Sequence, residues 1–149
     1  MNRKNFIKKT ALAVVALEAG YLSIDALKNK NIDKGSHSLI KVGRINSFEK
    51  NKIYPFGTAQ FQLSVLEDGG LLALSVKCTH LGCVIQRSKE GFACPCHASA
   101  FDKYGEVLSP PATRALDIFP ISIVKGEIFV DTQKPIKRKK FEKSQITYV

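Results

Sequence analysis

The sequence predicts a small antiparallel β domain preceded by one N-terminal helix, and three observations predict it. Phe61-Gln62-Leu63-Ser64-Val65 alternates apolar and polar side chains with the period of two expected of a half-buried strand. Turn signals recur at short intervals, at Glu67-Asp68-Gly69-Gly70, Asp102-Lys103-Tyr104-Gly105 and Lys125-Gly126. Beyond the N-terminal segment no stretch carries a convincing helical period, and no internal repeat is present. With 149 residues there is room for one domain of ordinary size and a core that folds without many disulfides.

Residues 1–27 read as an export signal or membrane anchor. A positive start, Arg3, Lys4, Lys8 and Lys9, precedes the apolar run that begins at Thr10. Arg3-Lys4-x-Phe6-Ile7-Lys8 resembles the twin-arginine export signal, with Lys4 in place of the second arginine. Thr10 to Leu27 would be about 27 Å long as a helix, just enough to cross the hydrocarbon layer. Glu18 and Asp25 interrupt it, seven residues apart on one helical face, where they can turn towards a partner. No small-x-small cleavage site stands out, so a retained anchor is the expectation. Residues 28–37, polar and without periodicity, read as a linker, and His37 within it as solvated.

From Leu39 the pattern is β. Leu39 to Gly43 leads in, and Ile53-Tyr54-Pro55-Phe56-Gly57 reads as a turn with apolar flanks. Leu71 to Val76 reads as a buried strand. Pro110-Pro111-Ala112 blocks ladder pairing and reads as an exposed, stiff loop. Ile118 to Val124 and Glu127 to Val130 read as a closing pair across Lys125-Gly126. Residues 134–149 read as a solvated basic tail, able at most to meet acidic lipid or an acidic partner.

The formal charge of +10 is concentrated at the ends. Residues 1–9 carry +4 and residues 134–149 carry +5, whereas residues 35–133 carry only +1. A nucleic-acid binder would show its basic stripe on the domain itself, so that class is excluded.

The chemistry lies in two segments, Cys78-Thr79-His80-Leu81-Gly82-Cys83 and Cys94-Pro95-Cys96-His97, which hold all four cysteines and two of the three histidines. Each places thiols two or three residues from, or beside, an imidazole, a ligand set for zinc or for an iron–sulfur centre. A structural zinc module that binds a partner is one reading of these residues.

The two motifs, with Ala98-Ser99-Ala100-Phe101-Asp102 and Gly105-Glu106-Val107-Leu108-Ser109-Pro110-Pro111-Ala112, closely resemble the Rieske iron–sulfur proteins of quinol-oxidising cytochrome bc-type complexes. The resemblance spans residues 38–133 and implies an all-β, Rieske-like antiparallel sandwich with a cluster-binding loop subdomain. It implies that Cys78 and Cys94 bind one iron of a 2Fe–2S cluster and His80 and His97 the other. It further implies a Cys83–Cys96 disulfide, a bond that persists outside the cytoplasm. Ser99 would hydrogen-bond a bridging sulfur, Leu81 would shape the exposed tip where quinone docks, and Pro110 and Pro111 would cover the cluster. His80 and His97 would meet the quinol hydroxyl in proton-coupled electron transfer.

The implied protein is an electron-transfer subunit, not a complete enzyme alone. It would sit on the periplasmic side of the inner membrane, held by its N-terminal anchor, between a cytochrome b-type subunit and a c-type cytochrome. The small Rieske subunit of an arsenite-oxidase-like molybdenum enzyme is the alternative. Three positions depart from the family: Ala98 replaces a usual glycine, Pro110 replaces the first residue of Gly-Pro-Ala, and Phe101 stands where high-potential members have a tyrosine. The last departure implies a low-potential centre, since hydrogen bonds to the sulfurs raise the potential.

Overall fold

The computed structural model describes residues 39–148. The expected N-terminal helix, the linker and His37 lie outside the described residues. Among the described residues no helix is long and apolar enough to cross a membrane, and helical structure is confined to three turns of three residues each.

The strands are β1 (Leu39–Arg44), β2 (Lys52–Phe56), β3 (Phe61–Val65), β4 (Leu71–Ser75), β5 (Gln86–Arg87), β6 (Gly91–Ala93), β7 (Ala100–Asp102), β8 (Val107–Ser109), β9 (Ile118–Phe119), β10 (Ile121–Val124) and β11 (Glu127–Asp131). They form three antiparallel sheets, ordered β1-β11-β10, β2-β3-β4-β9 and β5-β6-β7-β8. The third sheet is an insertion between β4 and β9. Its ends return to one place, because the Ser75 N–H donates to the Asp117 carbonyl at 2.8 Å. This insertion is the loop subdomain the family resemblance implies, and it carries both cysteine–histidine segments.

The β2-β3-β4-β9 sheet is a middle layer. Phe61, Leu63, Val65, Leu71 and Ala73 pack with Ile128 and Val130 of β11, while Leu72 and Leu74 pack with Phe92 and Phe101 of the insertion. Strand β3 is therefore buried along its whole length, not half-buried as its alternation predicts. Its polar face is covered by the insertion: the Ser64 hydroxyl, fully buried, donates to the Lys103 carbonyl at 2.8 Å. Alternation reports one strand's own side chains and cannot register a second covering layer.

Two further segments differ from expectation. The segment around Pro55 is strand β2, with Pro55 opposite Gln62. It is an edge strand, the position in a sheet where proline's missing N–H leaves no ladder bond broken. Ile118 to Val124 is broken at Pro120 into β9 and β10, which belong to different sheets.

The larger correction concerns the tail, which is folded onto the domain. Ile136 exchanges backbone bonds with Ile118, and Thr147 with Leu71. Phe141 packs against Tyr104 with ring centroids 4.7 Å apart, and the Tyr148 hydroxyl donates to Asp68 at 2.7 Å. Arg138 is only 6% exposed. Burial pulls its pKa down to about 10, opposed by Glu106, Asp102 and Asp117, so it stays cationic at neutral pH. The lysines between the apolar residues point to solvent, so net charge concealed an apolar and arginine face.

Gly91 shows how tightly the insertion is built. It has φ 153°, and a Cβ there would stand 2.3 Å from the Phe101 carbonyl oxygen and 2.5 Å from the Asp102 carbonyl carbon. Both are backbone atoms of the paired strand β7 and have no room to retreat. Gly91→Ala is expected to destabilise the domain by about 2–4 kcal/mol in thermal unfolding.

Candidate metal centre

The first segment is a closed loop between β4 and β5. The Cys78 N–H donates to the Cys83 carbonyl (2.8 Å) and the Gly82 N–H to the Cys78 carbonyl (2.9 Å). Gly82, at φ 78°, takes the left-handed conformation that lets the chain turn back. This throws His80 and Leu81 to the tip, where Leu81 is 69% exposed and Val84 beside it is exposed as well.

The second segment is a tighter loop between β6 and β7. The Cys94 N–H donates to the Ser99 carbonyl (2.7 Å) and the Ala98 N–H to the Cys94 carbonyl (3.1 Å). Ala98 sits at φ 60°. That left-handed position explains why glycine suits it, and an alanine there costs roughly 1 kcal/mol.

A disulfide between Cys83 and Cys96 joins the two loops, with their Cα atoms 6.5 Å apart. The other two cysteines, Cys78 and Cys94, are free and each 3% exposed. The Cys94 sulfur lies within 4.8 Å of the Cys83 and Cys96 sulfurs, but those two are spent on each other and cannot also bind metal.

The free sulfurs are dressed with donors. Burial pushes the Cys78 thiol up, against the His80 backbone N–H and the Ser99 hydroxyl, which favour its thiolate. At Cys94 burial acts in the same upward direction, but the backbone N–H groups of Cys96 and His97 and the Cys78 side chain together outweigh it and the pKa falls. N–H groups converging on a sulfur are what a metal-bound, anionic thiolate requires.

The imidazoles complete the set. The His80 and His97 rings stand 5.0 Å apart at 87°. His97 is exposed and His80 half-buried. The His80 Nδ1 is buried and has no hydrogen-bond partner, an arrangement costly for a free imidazole and natural for a metal ligand. Two buried thiols, one orphaned ring nitrogen and a second imidazole beside it fit a centre with mixed sulfur and nitrogen ligation.

Behind the loops lies a third segment. The Ser99 hydroxyl, fully buried, accepts the Ala112 N–H at 3.0 Å. The Pro110–Ala112 loop is accordingly less exposed than its prolines predict: Pro110 is exposed, Pro111 half-buried and Ala112 buried. Thr79, to which the motif assigns no role, donates its hydroxyl to the Arg114 carbonyl at 2.7 Å. Its place inside the motif was the available signal. Phe101 is fully buried in the core cluster that includes Cys78 and Cys94.

Comparison with known proteins bears on which metal these residues hold. The model of the Rieske [2Fe-2S] domain matches residues 38–120, more than half of the chain. The cytochrome b6-f complex iron-sulfur subunit 1 of Cyanophora paradoxa is 42% identical over 70 residues, covering 44% of this chain and 29% of that protein. The cytochrome b6-f complex iron-sulfur subunit of Chlorobaculum thiosulfatiphilum is 29% identical over 140 residues, covering 86% of this chain and 74% of its own length. The chain spans less than half the length of the first three curated relatives it matches, 29, 29 and 44%. Among solved structures, the cyanobacterial plasma membrane Rieske protein of Synechocystis PCC 6803 is similar at 24% identity and a TM-score of 0.43, over 61% of this chain and 97% of that one. The match over residues 38–120, which takes in both loops and the Ser99–Ala112 contact behind them, means that this chain belongs to the Rieske [2Fe-2S] domain family and carries a 2Fe–2S cluster.

Proposed function

We propose that this chain is the Rieske electron-transfer subunit of a quinol-oxidising bc-type complex, passing electrons to a c-type cytochrome. The observation that carries the reading is the disulfide-joined pair of loops whose tip exposes His97 and Leu81. The relatives named as iron-sulfur subunits of cytochrome b6-f complexes support it.

In this reading Cys78 and Cys94 hold one iron and His80 and His97 the other. The cluster, when bound, supplies a one-electron couple at roughly −150 to +300 mV, against about −400 mV for plant-type ferredoxins. The chain's own residues do the rest. His97 and His80 accept the hydrogen bond of the quinol hydroxyl and hold its proton. Leu81 offers an apolar surface to the quinone and the subunit that binds it. The Cys83–Cys96 bond keeps the two ligand loops together, which fits an extracytoplasmic head on an N-terminal anchor.

Phe101 tunes the site. Lacking a hydroxyl to donate to a cysteine sulfur, it leaves the reduced, more negative cluster less stabilised, as suits a low-potential quinol. Phe101→Tyr is expected to raise the midpoint by up to roughly 130 mV in protein-film voltammetry, the equivalent of about 3 kcal/mol for a hydrogen bond to a charged group. An unchanged midpoint would remove this explanation.

The partner assignment is tested by purifying the tagged full-length chain from detergent-solubilised native membranes. A b-type cytochrome and quinol–cytochrome c reductase activity are expected in the same fraction. Recovery of a molybdenum oxidase subunit instead would transfer the chain to the arsenite-oxidase-like alternative.

A further inference from the structure

Residues 105–116 form a closed loop with a narrow neck, at which the Leu116 N–H donates to the Gly105 carbonyl at 2.9 Å. The loop carries Pro110 and Pro111. It also touches the first cysteine–histidine segment and the stretch that closes the second loop: the Arg114 carbonyl accepts the Thr79 hydroxyl, and the Ala112 N–H bonds Ser99. Whatever fixes the neck therefore fixes an element that, alongside the Cys83–Cys96 bond, bridges the two halves of the centre.

The neck is held from outside the matched domain, by the C-terminal strap. The Arg138 guanidinium spans it, with Nε donating to the Leu116 carbonyl at 2.5 Å and Nη2 to the Tyr104 carbonyl. The third contact, Nη1 to Gln145 Oε1 at 2.8 Å, ties the same group to the end of the strap. Gly105 makes room for this: a Cβ there would stand 2.5 Å from Nη2. Two further bonds run alongside, from the Ala115 N–H to the Lys139 carbonyl (3.1 Å) and from the Phe141 N–H to Glu106 Oε2 (2.5 Å). A planar fork of donors aimed at two carbonyls on opposite sides of a neck is a clamp that lysine, a point donor, cannot reproduce.

We propose that Arg138 is a positioning residue for the cluster, closing the neck of the 105–116 loop so that the proline cover and Ser99 stay in register with the ligand loops. The inference rests on the ligand assignment proposed above. It gives the strap a task in the centre beyond its share of overall stability.

The test compares Arg138→Met with Ile146→Ala in the full-length, cluster-loaded protein. Ile146 also belongs to the strap and packs on the core, but makes no bond to the neck. Site-resolved amide exchange at Ala112 and the rate at which the cluster's visible absorption bleaches in air are read for both. Arg138→Met is expected to speed Ala112 exchange by about tenfold or more through local opening of the loop, and to speed bleaching with it. Ile146→Ala, at a comparable loss of melting temperature, is expected to leave both near wild type. Should Arg138→Met fail to fold, Arg138→Lys is read in the same way, with a smaller shift in the same direction. Equal effects of the strap variants at equal stability, or Ala112 exchange that follows global unfolding alone, would overturn the proposal. A wild-type protein whose spectrum lacks histidine ligation would instead overturn the ligand assignment, and the two failures are thereby told apart.

Discussion

Cys78→Ala is expected to give folded protein that holds no 2Fe–2S cluster, with visible absorption and the reduced-state paramagnetic signal both lost. The buried sulfur at this position is met by the His80 N–H and the Ser99 hydroxyl, and no other free thiol among the described residues can replace it except Cys94, which is already assigned. Thiol titration of the unfolded, metal-free protein without reductant should fall from two groups to one, because the Cys83–Cys96 bond is untouched. His80→Ala should lose the centre in the same way, since it removes the buried Nδ1 that has no other partner. The measurement is iron and sulfide content with the visible spectrum. A Cys78→Ala protein that retains a full cluster would contradict the ligand set.

Removing the disulfide is expected to have the second largest effect, and a different one. Cys83 and Cys96 lie 13 residues apart in sequence, so their bond closes a short loop in the unfolded chain. Replacing both by alanine should cost about 3 kcal/mol by the loop-entropy relation, seen as a lower midpoint in urea unfolding. The ligand sulfurs and imidazoles all remain, so the cluster should still assemble with a mixed-ligation spectrum. With nothing tying the two loops, it should be lost faster on dilution or warming. A double variant of unchanged stability and unchanged cluster lifetime would show that the hydrogen-bonded loop backbones suffice.

The sequence made the site more legible than the fold. Fixed local spacing put Cys78 beside His80 and Cys94 beside His97, and the apolar run from Leu71 marked the buried strand that leads into the first segment. The short strands β5, β6 and β7 around the two segments carried no readable period. The division of the four cysteines was not legible from spacing. It came from the family resemblance, and the structure agrees by bonding Cys83 to Cys96 and leaving Cys78 and Cys94 free. What failed was non-local. The period of β3 could not reveal that its Gln62 and Ser64 face would be covered by an insertion some forty residues later. Pro55 looked like a turn because proline is excluded from central strands, and only the sheet order shows that β2 is an edge.

The tail departs furthest from what its composition predicts. Its net charge of +5 suggested solvation, yet Phe141 and Ile146 pack on the core and Arg138 is buried against carbonyls more than twenty residues away in sequence. Charge counts average over a strap whose two faces differ, and a buried arginine is invisible among surface lysines until its acceptors are known.

The central claim is that two thiolates and two imidazoles hold one 2Fe–2S cluster at the joined loops. Reduced-state electron paramagnetic resonance with nitrogen hyperfine detection tests it most directly on the purified full-length chain. The expected spectrum has the low mean g value of mixed cysteine–histidine ligation, with coupling to the nitrogens of two histidines. A spectrum of all-cysteine type without histidine coupling, or a colourless zinc-containing protein, would contradict it.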